Sequence, residues 1–114
     1  MAWIMATPCT AFSDRRVIGV LCGGQRLAIY KLPDGYFATR DACPHQGSAL
    51  SEGCVVESYI ECPSHHALFD IRTGAADGSV TSIPLKTYLT RVENDHIYVD
   101  LDDTSGGNPF GPHR

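Results

Sequence analysis

Basic residues are scarce in this 114-residue chain: nine Lys and Arg stand against thirteen Asp and Glu, a formal net charge of −4. Beyond Arg15-Arg16 no cations cluster in the sequence, which speaks against nucleic-acid binding. Long hydrophobic runs are also missing. The longest uncharged opening stretch, "MAWIMATPCTAFS", has no basic leader and is interrupted by Thr7, Pro8, Thr10 and Ser13. Neither a signal peptide nor a membrane span is expected. No segment keeps apolar residues at helical spacing for more than a turn or two, which excludes a helical bundle. An even cysteine count is lacking too. The five cysteines are Cys9, Cys22, Cys43, Cys54 and Cys62, and without a secretory leader they do not read as a disulfide framework. A reducing cytoplasm fits them. Hydrophobic residues at 43% and charged residues at 19% suit one globular domain with a real core, expected over residues 1–104.

What is present is short period-two runs punctuated by turns. "RRVIGVL" and "QRLAIYKL" flank Gly23-Gly24 as the arms of a hairpin. "PDG" at 33–35 turns the chain into "YFATRDA". "CVVESYIEC" reads as one strand after Gly53, and "HALFDIRT" leads to Gly74. "LKTYLTRVEND" runs to the turn Asn94-Asp95, and "HIYVDL" closes the pattern. One short helical turn is expected near residues 11–16, capped by Ser13 or Asp14. The fold class is therefore all-β, with short antiparallel strands in a small barrel or sandwich. Trp3, Tyr36, Phe37, Tyr88 and Leu89 read as core or base-sheet packing. Cys9, Cys22 and Cys54 read as buried or half-buried small hydrophobes. The last ten residues, 105–114, with three Gly and two Pro, read as a tail.

Two segments break from this plain pattern: "DACPHQGSAL" at 41–50 and "IECPSHHALF" at 60–69. Each holds a Cys-Pro pair with a His close behind. The ligand candidates are Cys43, His45, Cys62 and His65, in the pattern C-x-H, sixteen residues, C-x-x-H. Close spacing within each half lets one tight loop aim two side chains at one point. Pro44 and Pro63 fix φ and withhold an N–H, which stiffens the tips. By ligand softness the site suits a tetrahedral zinc or an iron–sulfur cluster. Zinc patterns usually pair Cys with Cys and His with His. One Cys and one His per half instead match a two-iron cluster with two thiolates on one iron and two imidazoles on the other. His66 competes with His65, but the C-x-x-H spacing favours His65. His96 follows a turn and His113 lies in the tail, so neither is expected to ligate. No acid–base pair, nucleophile constellation or phosphate loop accompanies the site.

The pattern "CPHQGSAL…ECPSHHALFDIRTG" resembles the Rieske [2Fe–2S] signature, and residues 15–101 as a whole resemble the small Rieske ferredoxins of bacterial aromatic ring-hydroxylating dioxygenase systems. The resemblance implies a β base carrying a cluster-binding subdomain of two hairpin loops over about residues 41–86. Cys43 and Cys62 would hold the inner iron, and His45 and His65 the outer iron through Nδ1. It implies an electron carrier and not an enzyme, working between an NAD(P)H-dependent reductase and a terminal oxygenase; a cytoplasmic monomer is the default for such a shuttle. The small subunit or ferredoxin of another redox system, such as a nitrite reductase or a di-iron monooxygenase, is the alternative, with a zinc-stabilised interaction module behind it. Gln46 and His66 stand beside the ligand histidines, where they would rim a docking face or simply be solvated. Asp41, Glu52, Glu57 and Glu61 would face a basic partner or plain solvent.

The ligand set bears on potential. Two thiolates and two neutral imidazoles leave the oxidised core neutral, where four thiolates would leave a dianion, so an electron enters more easily. High-potential relatives add a disulfide between the loops and hydroxyl donors after the second His. Ser48 and Ser64 stand where the disulfide would be, and Ala67 and Phe69 where the donors would be. The expected potential is therefore below about 0 mV, in the lower part of the Rieske range. Relatives also carry a proline early in a third, covering loop. Here Val80 takes that place and the proline falls at Pro84, so the contacts of this loop are expected to differ.

Overall fold

The computed structural model describes residues 3–44, 47–64, 66–78 and 80–102. Among the described residues, ten strands form three antiparallel sheets. The first joins β1 (Trp3–Pro8), β10 (His96–Asp100) and β9 (Thr90–Glu93) in the order β1-β10-β9. The second is β2 (Val17–Cys22), β3 (Gln25–Leu32), β4 (Gly35–Arg40) and β8 (Thr87–Tyr88), hydrogen-bonded in that order. The third is β5 (Cys54–Val56), β6 (Tyr59–Glu61) and β7 (Leu68–Asp70). The expected all-β class is what the chain adopts.

Strand β3 explains how one short chain supports two cores. Side chains alternate across a strand. In "QRLAIYKL", Leu27 and Ile29 face a base core with Phe12, Ile18, Ala38, Ile97 and Val99. Ala28, Tyr30 and Leu32 face a second core with Leu50, Ile60, Phe69, Ile71 and Leu85. All five of these β3 residues are buried, so the strand is a septum with an apolar layer on each side. Tyr30 keeps its hydroxyl satisfied there: it sits 2.8 Å from Thr39 Oγ1, and Thr39 donates onward to the Arg40 carbonyl at 2.9 Å. Burial drives the Tyr30 phenol far above its ordinary pKa.

The turn signals read from sequence are met by the backbone. Gly23 and Gly24 have φ of 56° and 82°, and Asn94 and Asp95 of 52° and 63°. Positive φ at both central positions suits the tight hairpin twist. Five expectations need correction. The helical turn is a 3₁₀ turn at Cys9–Phe12, with no side-chain cap, and Ser13 ends it at φ 53°. "CVVESYIEC" is two strands, because Glu57 takes φ 55° and folds Val56 back onto Tyr59. "LKTYLTRVEND" is also two strands in different sheets. The chain switches at Leu89, which is 49% exposed and not part of the core. Cys54 is likewise exposed, while Cys22 is buried and Cys9 half-buried. Trp3 lies half-buried under the Arg91 guanidinium, 4.5 Å from its ring centre, and Tyr88 is buried as expected.

The chain leaves the second sheet at Arg40 and returns at Lys86, whose carbonyl accepts the Arg40 N–H at 3.0 Å. Everything carried between those points stands on paired strands β4 and β8. The expected tail, 105–114, lies outside the described residues.

Candidate metal centre

The two Cys-Pro segments fold into hairpin tips with the same hydrogen bonds. In the first, Cys43 N–H donates to the Ser48 carbonyl (2.8 Å) and Gly47 N–H returns to the Cys43 carbonyl (2.7 Å). In the second, Cys62 N–H donates to Ala67 (2.8 Å) and His66 N–H returns to Cys62 (3.0 Å). Below each tip the next pair is also matched: Ala42 opposes Ala49, and Glu61 opposes Leu68. The fourth residue after each Cys turns left-handed, Gly47 at φ 78° and His66 at φ 62°. Glycine accepts this freely; His66 accepts it with its Nδ1 held 3.0 Å from Glu61 Oε2.

Matched tips place the cysteines at equivalent points. Cys43 is 2% exposed and Cys62 1%, and both belong to one apolar cluster with Leu50, Ile60, Ala67 and Phe69. The tips touch directly through a hydrogen bond between Ser48 Oγ and Ser64 Oγ. Two buried sulfurs at the feet of joined tips fit a cationic inorganic core, because burying thiolates without an opposite charge is costly. Among the described residues no disulfide forms, so neither Cys43 nor Cys62 is tied up in one. The imidazoles of His45 and His65, and the side chain of Gln46, lie outside the described residues. Among the described residues, which do not include His45 and His65, no three His, Cys, Asp or Glu converge. His96 is set apart in the base sheet, its Nδ1 2.7 Å from the Asn94 carbonyl.

Asp41 corrects an expectation and adds a residue to the site. It is not a solvated carboxylate: it is 2% exposed. Its carboxylate accepts the Ser51 N–H at 2.9 Å and an Arg26 N–H at 3.3 Å, and its carbonyl accepts the Leu50 N–H at 2.7 Å. Asp41 thus pins both limbs of the first loop to β3. Its place just before the Cys-Pro pair gives no hint of this. Glu52 and Glu57 are exposed and Glu61 is half-buried beside His66.

The third loop is zipped to β7 at its start, with Asp77 N–H on the Leu68 carbonyl at 3.0 Å. It is anchored again where Leu85, 1% exposed, enters the upper core and donates its N–H to Gly74 at 2.7 Å. Between these points Val80 and Ile83 are 39% and 52% exposed. A second brace joins the upper part to the base: Arg72 Nη2 reaches Asp34 Oδ1 at 2.6 Å, across the β3–β4 turn.

The model of the Rieske [2Fe-2S] domain matches residues 2–91. The ferredoxin component of the naphthalene 1,2-dioxygenase system of Pseudomonas putida is 33% identical over 99 residues, covering 87% of this chain and 95% of that protein. Among solved structures, the Sphingomonas yanoikuyae B1 ferredoxin superposes with a TM-score of 0.78 at 31% identity, covering 84% of this chain and 95% of the other. A chain of the complex of reduced oxygenase and oxidized ferredoxin in carbazole 1,9a-dioxygenase superposes with a TM-score of 0.77, also at 31% identity, covering 85% of this chain and 91% of the other. These likenesses set the zinc alternative aside. With its matched tips and buried cysteine pair, the chain belongs to the Rieske [2Fe-2S] family and carries a cluster of that type.

Proposed function

We propose that this chain is the electron-carrying ferredoxin of a multicomponent aromatic-ring oxygenase. It takes single electrons from an NAD(P)H-dependent reductase and delivers them to the terminal oxygenase. Cys43, His45, Cys62 and His65 are its cluster ligands, and residues 1–104 form one domain that works as a cytoplasmic monomer. The observation that carries the reading is the pair of identically bonded tips, which bury Cys43 and Cys62 in one apolar cluster. Relatives of nearly the same length are named as ferredoxin components, and one neighbour is a chain from a complex of oxygenase with ferredoxin.

When bound, the cluster supplies one reversible one-electron site. The chain's own residues determine what surrounds it. Phe69 and Ile60 are fully buried in the same apolar cluster as Cys43 and Cys62, and would keep water from those two sulfurs. Ala67 and Phe69 offer no side-chain donor, so the reduced, more negative state gains less stabilisation and the potential falls below about 0 mV. Two protein ligands on each iron, from Cys43, Cys62, His45 and His65, would leave no coordination position open for substrate. The histidine positions differ by one between the matched tips: His45 is second after its Cys and His65 third after its own. Stopped-flow mixing tests the role. The reduced chain should reoxidise on mixing with the terminal oxygenase of an aromatic-ring dioxygenase and support product formation. A chain that is reduced by the reductase but supports no turnover would sink this reading.

A further inference from the structure

Arg26, Arg40 and Lys86 line one groove of about 520 Å³, whose far wall is the first cluster loop at Gly47 and Ala49. We propose that this groove seats an acidic segment of the redox partner. Three of the chain's nine Lys and Arg meet here, on a molecule whose net charge is −4. Asp41 offsets one of them, since its buried carboxylate lies 3.3 Å from Arg26 Nη2. Among the described residues neither Arg40 nor Lys86 has a carboxylate partner. Both stand on a rigid base, because Arg40 N–H donates to the Lys86 carbonyl at 3.0 Å. Lys86 Nζ rests 5.1 Å from the centre of the Tyr88 ring, and the Tyr88 hydroxyl donates to Gln25 Oε1 at 3.1 Å. The amine is therefore positioned before any partner arrives.

The backbone decides between an acidic protein segment and a phosphate. Phosphate sites present unengaged N–H groups in a concave nest. Three amides around this groove are already committed: Asp41 to Arg26, Arg40 to Lys86 and Gly47 to Cys43. What remains is side-chain charge spread along two strands, which suits carboxylates distributed along a segment. Such pairs steer association and fix orientation more than they add affinity. A partner seated here lies against the loop that bears Cys43 and His45.

The inference rests on the electron-carrier reading for who the partner is, but its test reads the groove alone. The cluster-loaded chain is titrated by calorimetry at low ionic strength with hexaglutamate and, separately, with inorganic pyrophosphate. The parent chain should bind hexaglutamate more tightly than pyrophosphate. Arg40→Glu/Lys86→Glu should weaken the peptide by about tenfold or more, and Arg40→Gln/Lys86→Gln by an intermediate factor. Lys31→Glu, toward the other end of β3 and roughly 17 Å from Arg26 along the strand, should change nothing. An unchanged visible spectrum and midpoint potential in each variant verifies the fold. Equal peptide affinity in parent and charge-reversed chains, no peptide binding by the parent, or tighter pyrophosphate binding would overturn the proposal. If the peptide binds as described while oxygenase turnover fails, the groove stands and the electron-carrier reading falls.

Discussion

Each expected ligand should be indispensable, and neighbouring histidines should not. Cys62→Ala leaves a half-empty site under a buried apolar lid, so this variant should contain no cluster after purification, read as loss of the visible absorption. His96→Ala should keep the full spectrum, since that imidazole bonds its own turn at the Asn94 carbonyl. Asp41 is the residue whose importance the sequence hides. Asp41→Ala strands the buried Ser51 N–H and leaves Arg26 without its partner, which should cost about 2 kcal/mol in denaturant unfolding. A loss within experimental error would mean the first loop is pinned by something else. Nothing in "RDACPH" distinguishes this Asp from the solvated carboxylates nearby, because its burial is created by β3 and the 3₁₀ turn at Leu50–Glu52.

At the scale of the element, turns were readable where glycine or Asn-Asp declared them and unreadable where ordinary residues adopt the same backbone. Gly23-Gly24 announces a hairpin; Glu57 and Ser13 reach positive φ without any such sign. "LKTYLTRVEND" looks like one strand because its alternation is continuous, and only tertiary pairing splits it at Leu89. The two tips were readable because a Cys-Pro pair and an expected ligand His mark each of them in sequence. Their matched hydrogen bonding was not, since backbone bonds leave no trace in residue type. Gly74 is where an element fails most sharply if changed. Its φ is 82°, and a Cβ there would lie 2.0 Å from the Leu85 carbonyl oxygen. Gly74→Ala should destabilise the chain by about 2 kcal/mol or more and loosen the third loop, detectable as faster amide exchange near Leu85. Exchange unchanged from the parent would refute the anchoring role.

For the whole molecule, the junction between base and cluster-bearing part has a pH signature. Arg72's hydrogen bond holds the Asp34 carboxyl below its ordinary pKa. A carboxyl with a depressed folded-state pKa contributes stability above its unfolded pKa and loses it as pH falls through the folded one. The parent should therefore lose stability on acidification below the usual carboxylate range, and Asp34→Asn should lose less over the same window. The pair is exposed, so the difference is small and shrinks with salt. Identical acid profiles in parent and variant would show that the brace contributes nothing. The fold class was legible from period-two runs and turns, and the family from the two Cys-Pro segments. The basic groove was not, because Arg26, Arg40 and Lys86 are far apart in sequence and meet only when β3, β4 and β8 align.

The account stands on mixed ligation, thiolates from Cys43 and Cys62 with imidazoles from His45 and His65. Pulsed electron paramagnetic resonance on the reduced chain, grown with nitrogen-15 histidine, reads the imidazoles directly. Two histidine nitrogens strongly coupled to the reduced cluster are expected. A spectrum with one coupled histidine nitrogen, or none, would contradict it.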